Sequence, residues 1–251
     1  MNKLPQVTLI FWIMKIAATT LGETAGDLLS MTLKVGYAVS SMILIGMFLI
    51  TLVTQLRSKT YNPLLYWAVI LSTSTAGTTM SDYMDRTLGF GYAKGSFILI
   101  MILSAIFVFW RLSGYSFSVT NIKTFKAELL YWTAILFSNT LGTALGDFLA
   151  DSSGLGFAGG ALLIGGLLTL TVFAVYFTRI PKTLLFWVAF VLTRPIGATM
   201  GDVLTKSHEK GGLNFGTVGA SLVLGSVLGI LILYTILNQA KEARVAAVKV
   251  G

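Results

Sequence analysis

The sequence has no cysteine, a single histidine (His208) and few charged residues, which make up 11% of its 251 residues. The absence of cysteine excludes disulfides, zinc–thiolate sites and thiol catalysis. One histidine excludes a histidine metal cluster and a histidine-based catalytic triad within one subunit. Any chemistry in this chain must therefore depend on oxygen ligands and on charge.

Apolar residues are abundant instead, at 55% of the chain, with a mean hydropathy of +0.82. Ordinary soluble domains do not show this balance, so the composition indicates a polytopic membrane protein whose main partner is the lipid bilayer. The 18 Lys and Arg residues outnumber the 10 Asp and Glu residues, but they are scattered between apolar runs. They are expected to face lipid headgroups, and no nucleic-acid partner is predicted.

Four segments share one pattern, in which an aromatic pair precedes a glycine and an aspartate at fixed distances. The ungapped copies are "FWIMKIAATTLGETAGD" from Phe11, "YWAVILSTSTAGTTMSD" from Tyr66, "YWTAILFSNTLGTALGD" from Tyr131 and "FWVAFVLTRPIGATMGD" from Phe186. Their tryptophans, Trp12, Trp67, Trp132 and Trp187, are separated by 55, 65 and 55 residues. These separations indicate a two-repeat unit that was itself doubled.

Each copy continues through a short glycine-bearing connection into a second apolar run, so each repeat is predicted to be a helical hairpin. A helix needs about 20 residues to cross a hydrocarbon core of about 30 Å, and backbone in lipid must be helical to pair its polar groups. The predicted fold is all-α, a single transmembrane domain (1–251) of eight helices with an inner ring of the odd-numbered ones. The expected spans are about 5–30, 35–56, 63–84, 90–111, 126–149, 155–178, 182–204 and 213–238, in repeats of about 5–57, 60–112, 125–179 and 181–238.

The charges between the spans predict an orientation. Eleven Lys and Arg residues flank the end of the bundle that holds both termini, and five flank the other end. By the positive-inside rule, both termini are expected in the cytoplasm. The aromatic pairs would then lie near the cytoplasmic interface, where the tryptophans are expected to anchor the helices.

Polar residues recur seven, eleven and fifteen positions after each tryptophan, a spacing of four that places them on one helix face. Lys15 extends the first of these stripes. A charge at the bilayer centre costs about 2.5–3.5 kcal/mol, so the stripes should face one another in a shared interior. The repeated glycines are predicted to let these helices approach closely. The stripes are Thr19, Glu23 and Asp27; Ser74, Thr78 and Asp82; Asn139, Thr143 and Asp147; and Arg194, Ala198 and Asp202.

Such an interior would offer hard oxygen donors, which suit Mg²⁺, Mn²⁺ or Ca²⁺. Lys15 and Arg194 are predicted to be counter-ions or gates, and five acids against these two bases leave a nominal charge of minus three. A divalent cation together with one or two protons would neutralise that charge, as in a proton-coupled antiporter. The predicted metal ligands are Glu23, Asp27, Asp82, Asp147 and Asp202, and Thr19, Ser74, Thr78, Asn139 and Thr143 complete the predicted ion- or substrate-binding set.

The four W-x9-G-x4-D copies resemble those of a family of bacterial integral-membrane proteins built from four tandem two-helix repeats of unknown function. The resemblance extends from Phe11 to about Leu237 and implies a bacterial inner-membrane location. More loosely, "ETAGDL" resembles the E-x-G-D-[KR]-[ST] signature of manganese and calcium cation/proton exchangers. It has one more residue before the glycine, and Leu28 replaces the basic residue. This second resemblance implies exchange of a metal cation against protons.

The sequence therefore predicts a transporter that exports or exchanges a hard divalent cation such as Mn²⁺, with no resident cofactor. Two alternatives remain open: a carrier for a small organic anion bound by Lys15 and Arg194, and a non-transporting membrane scaffold. No enzyme is predicted, because the sequence shows no nucleophile and base at useful spacing, no phosphate loop and no redox ligand set. A homo-oligomer is among the open assembly states.

Overall fold

The structure is a computed structural model that describes residues 4–122 and 124–250, without the side chains of Thr120 and residues 243–250. Lys3 and Lys123, and the side chains of Arg244 and Lys249, count towards the predicted orientation but lie outside the described part.

Eight α-helices form within the described ranges, where no strand occurs. The predicted all-α fold and its eight helices are confirmed, with ends within four residues of those expected except for the last helix, which continues to Val250. The helices are α1 (Leu9–Asp27), α2 (Tyr37–Arg57), α3 (Pro63–Asp82), α4 (Tyr92–Leu112), α5 (Phe125–Asp147), α6 (Gly156–Phe177), α7 (Lys182–Thr205) and α8 (Gly216–Val250).

The repeated aspartate ends an α-helix in three of the four repeats. A π-helical turn follows directly, over Leu28–Thr32, Tyr83–Thr87 and Phe148–Ser152. In the fourth repeat α7 runs on to Thr205 instead, and the chain needs 14 residues from the aspartate to the next helix, against 10, 10 and 9 in the others. The fourth repeat is therefore built differently at this end, which we call the acidic end.

The odd-numbered helices contact one another in a closed circuit, since α1 and α5 each pack against both α3 and α7. The even-numbered helices pack outside this circuit: α2 on α3, α4 on α5, α6 on α7 and α8 on α1. The predicted hairpins are therefore open, because each outer helix makes its main contacts with the inner helix of the following repeat. The 9 to 14 residues between each repeated aspartate and the next helix are enough to carry the chain to the inner helix of the following repeat.

The repeated glycine explains how closely the inner helices pack. In each copy it lies against the residue seven positions after the tryptophan of the next copy, and an added Cβ would overlap that neighbour. The predicted close approach through glycine is thus confirmed. The contacts are Gly22 with Ser74, Gly77 with Asn139, Gly142 with Arg194, and Gly197 with Thr19.

The aromatic pairs form a continuous belt at the opposite end of the bundle. Ring centroids of successive repeats lie 5.5–5.9 Å apart, as Phe11–Trp67, Tyr66–Trp132, Tyr131–Trp187 and Phe186–Trp12. Trp67, Trp132 and Trp187 are at most 5% exposed, so the prediction that these three are interfacial anchors is wrong. Trp12 is half-buried, and for it the anchor role stays a prediction. Each ring packs on the neighbouring repeat because the inner helices are so close. This aromatic belt closes one end of the bundle.

The outer surface is strongly apolar. Exposed residues include Ile50 on α2, Phe97 on α4, Leu162 on α6 and Leu222 on α8, each more than 60% exposed. Within the described part of the chain, five helices are long and apolar enough to cross a membrane: α2, α4, α6, α7 and α8. The molecule thus presents lipid-compatible side chains outwards and, as described next, charged side chains inwards.

Candidate functional site

The twelve predicted site residues are buried, each at most 4% exposed. They lie on α1, α3, α5 and α7 at three successive levels between the aromatic belt and the acidic end. Two clefts of about 720 and 400 Å³ lie elsewhere, and none of the twelve residues lines either of them. The site is therefore a packed polar column, closed off from both of these clefts.

The level nearest the aromatic belt is built around Lys15. Its Nζ atom donates to Oδ1 of Asn139 at 3.5 Å and lies 4.0 Å from the centroid of the Phe190 ring. The Asn139 amide in turn donates to the Thr73 hydroxyl at 2.9 Å. Among the described residues, Lys15 thus meets an amide oxygen and an aromatic face, and no carboxylate lies within ion-pair distance. Sequence reasoning missed Phe190, although it occupies the position of Lys15 in the fourth repeat.

The middle level is a buried ion pair between Arg194 of α7 and Glu23 of α1. Nη2 of Arg194 lies 3.0 Å from Oε2 of Glu23 and also donates to the hydroxyls of Thr78 and Thr143, at 2.5 and 2.7 Å. Both hydroxyls donate in turn to the same Glu23 oxygen at 3.3 Å. Four helices therefore meet at one guanidinium–carboxylate contact.

Thr19 and Ser74 contribute to this level through their backbones. Nη1 of Arg194 donates to the carbonyl oxygen of Thr19, and Nη2 donates to that of Ser74, both at 3.3 Å. The Thr19 hydroxyl is directed to backbone carbonyls, among them that of Lys15 at 3.0 Å. The sequence analysis predicted the hydroxyls of Thr19 and Ser74 as ligands. In the structure it is their carbonyl oxygens that accept hydrogen bonds from Arg194.

The third level holds the four repeated aspartates, joined in pairs by two basic residues. Arg86 bridges its own repeat to the next, with Nε 2.9 Å from Asp82 and Nη2 3.3 Å from Asp147. Lys206 does the same, with Nζ 3.0 Å from Asp202 and 3.2 Å from Asp27. The two bridges are related by the 120-residue offset of the sequence repeat.

Arg86 and Lys206 were placed among loop charges by sequence reasoning. The available signal was their position, four residues after an aspartate in the even-numbered repeats, where the odd-numbered repeats have Met31 and Asp151. Burial lowers the pKa of Lys206, but the charges of Asp202 and Asp27 outweigh it and raise that pKa above its ordinary value. Lys206, just past the end of α7, therefore stays charged at physiological pH.

Three carboxylates of the middle and third levels lie especially close to one another. Glu23, Asp147 and Asp202 each offer an oxygen, and these oxygens lie within 4.8 Å of one another. They come from α1, α5 and α7, so the cluster exists only because the inner helices pack together. Carboxylate oxygens with hydroxyls nearby suit a hard divalent cation in chemical type.

Apolar helices around a buried charged column, in four tandem copies, define a polytopic helical-repeat membrane protein. The family model described as "Repeat of Unknown Function (DUF347)" matches residues 10–61, 65–115, 130–180 and 185–240. The chain belongs to this family, as the four W-x9-G-x4-D copies predicted. Comparisons with curated proteins and with solved structures found no match. The looser likeness to cation/proton exchangers stays a prediction.

Proposed function

We propose that this protein is a membrane transporter that exports or exchanges a hard divalent cation, such as Mn²⁺, against protons. The observation that carries this proposal is the buried cluster of Glu23, Asp147 and Asp202, whose oxygens lie within 4.8 Å of one another. Three ionised carboxylates at this distance repel one another, and either a divalent cation or protons relieve the repulsion. Exchange of one for the other would keep the column near electrical balance.

All eight helices cross the membrane in this proposal, with α1, α3, α5 and α7 as an inner ring. The three helices outside the apolar set, α1, α3 and α5, owe their polarity to residues that face one another, such as Glu23, Thr78 and Asn139. Polar groups at membrane depth are tolerated where protein surrounds them. The protein lies in a bacterial inner membrane in this proposal. Both termini face the cytoplasm, because more Lys and Arg residues flank the end of the bundle that holds them.

The basic side chains of the column act as resident counter-ions in this function. Five acids of the column stand against Lys15, Arg86, Arg194 and Lys206, which leaves one net negative charge. A cargo cation would replace part of this positive charge at the carboxylates. The substrate is thus a competitor of the protein's own ammonium and guanidinium groups.

A carrier for a small organic anion is less well supported. Arg194 is fully buried, and both of its Nη atoms are committed to protein acceptors. An anion would have to displace Glu23 and two hydroxyls to reach them. The flux experiment below therefore also tests these two alternatives, organic anion transport and a scaffold without transport activity.

The test is flux into proteoliposomes that contain a pH-sensitive dye, with Mn²⁺, Mg²⁺, Ca²⁺ and a panel of organic acids as substrates. We expect metal uptake coupled to proton movement, and we expect Asp147→Asn to reduce it by at least the roughly 10- to 100-fold that loss of a group supporting a metal site causes. Asp151→Asn removes an exposed acid of the same repeat and should leave flux unchanged.

Organic acid uptake without metal uptake would replace the cation proposal, and no flux of any substrate by a folded protein would favour the scaffold. Equal loss in Asp147→Asn and Asp151→Asn would show that the buried cluster has no special part in transport.

A further inference from the structure

The two bridges at the acidic end are equivalent in sequence but unequal in anchoring. Besides its two carboxylates, Arg86 donates from Nη1 to the Tyr37 hydroxyl at 3.1 Å, and its guanidinium carbon lies 5.8 and 5.6 Å from the ring centroids of Tyr37 and Tyr92. Lys206, within the part of the chain that the structure describes, has the two carboxylates and no aromatic clamp. Arg86 is thus the more firmly held of the two.

The sequence explains this difference. Tyr37 and Tyr92 each stand ten residues after the repeated aspartate, in the tripeptide Gly-Tyr-Ala. At the same distance in the third and fourth repeats stand Phe157, which has no hydroxyl, and Gly212, which has no ring. The tyrosine clamp is therefore present around Arg86 and missing around Lys206.

The backbone differs in the same direction. Arg86 lies within the π-helical turn Tyr83–Thr87, so the hydrogen bonds of that turn fix its backbone. Lys206 is the extended residue that caps α7, with φ −72° and ψ 157°, and begins the longer connection to α8. The side chain of Lys206 can leave the two carboxylates by rotation of its own stem, while its backbone keeps its hydrogen bonds to Asp202 and Asn214.

We propose that the acidic end opens at the junction of α1 and α7, where Lys206 is a displaceable counter-ion, while Arg86 holds the junction of α3 and α5 closed. Departure of Lys206 frees Asp27 and also Asp202, a member of the three-carboxylate cluster. That a transported cation then takes the place of the Lys206 ammonium group rests on the proposed function. The unequal opening rests on the two bridges and on the tyrosine clamp, and opening of α1–α7 as far as Thr20 also separates the Arg194–Glu23 pair.

Because the chain has no cysteine, single cysteines can report the opening of each junction. Thr20 and Thr140 are a matched pair, 120 residues apart, at most 2% exposed, and each donating its hydroxyl to the carbonyl four residues earlier. The backbone of Thr20 on α1 lies against Gly201 of α7, and the backbone of Thr140 on α5 lies against Gly77 of α3. Thr20→Cys and Thr140→Cys would be labelled in nanodiscs with a charged, membrane-impermeant methanethiosulfonate.

We expect Thr20→Cys to react at least about tenfold faster than Thr140→Cys, because Lys206 is held by two carboxylates alone, whereas Arg86 is also held by the Tyr37 hydroxyl and by the rings of Tyr37 and Tyr92. Adding Lys206→Met should accelerate labelling at Thr20→Cys and leave Thr140→Cys unchanged, whereas Arg86→Met should accelerate Thr140→Cys. Lys206→Arg, which keeps the charge, should retain protection and serves as the folding control.

Equal rates at the two cysteines, a faster Thr140→Cys, or no effect of Lys206→Met on Thr20→Cys would overturn the inference. The labelling needs no cargo, so its result is separate from the flux assay. Asymmetric labelling without metal flux would support opening at the α1–α7 junction and reject the cation proposal. Metal flux with symmetric labelling would support the cation proposal and reject opening at that junction.

Discussion

Arg194→Met is expected to lower the free energy of unfolding by about 3–5 kcal/mol, the typical loss when one partner of a buried ion pair is removed. Arg194 is completely buried, and the carboxylate that it neutralises, Glu23, is 3% exposed. Methionine replaces the aliphatic stem but leaves the acid uncompensated. The measurement is unfolding in mixed micelles by titration with a denaturing detergent.

The double variant Glu23→Gln/Arg194→Met separates charge from packing. It removes both charges, so no uncompensated carboxylate remains, and we expect it to be more stable than Arg194→Met alone. Arg179→Met removes an exposed arginine and should change stability by less than about 0.5 kcal/mol. A double variant as unstable as the single one would show that lost packing and hydrogen bonds, rather than the lone charge, determine the effect.

This ion pair illustrates what the sequence could predict. The spacing of four residues correctly placed Glu23, Thr78 and Thr143 on inward faces, because helix geometry alone decides which residues share a face. The same spacing could not say that Arg194 would reach Glu23 on another helix. That contact depends on the order of α1, α3, α5 and α7 around the bundle, which no local pattern contains.

The acidic end shows a different limit of sequence reasoning. Arg86 and Lys206 stand four residues after an aspartate, and that spacing is readable as a helical ion pair. Their second contacts, to Asp147 and Asp27, cross to the next repeat and follow only from the closed circuit of inner helices. The anchor prediction for Trp67, Trp132 and Trp187 was wrong for the same reason, since these three rings pack on aromatic rings of the neighbouring repeats instead of facing the interface.

Gly77→Ala is expected to destabilise the protein by about 1–3 kcal/mol, the range seen when an extra carbon is forced into a packed interior. A Cβ at Gly77 would lie 2.9 Å from the backbone nitrogen of Thr140 and 3.0 Å from the carbonyl carbon of Asn139. Backbone atoms cannot rotate away as a side-chain end can, so α3 and α5 must separate. Separation would also strain the hydrogen bonds that Asn139 makes with Lys15 and Thr73.

Gly46→Ala is the matched control for this substitution. Gly46 lies within α2, and no atom would come within 4 Å of an added Cβ. Alanine there should raise stability by up to about 1 kcal/mol through its higher helix propensity. The two substitutions are thus chemically identical and opposite in expected sign. If Gly77→Ala were as stable as Gly46→Ala in the same detergent titration, close contact of α3 with α5 at the repeated glycine would be refuted.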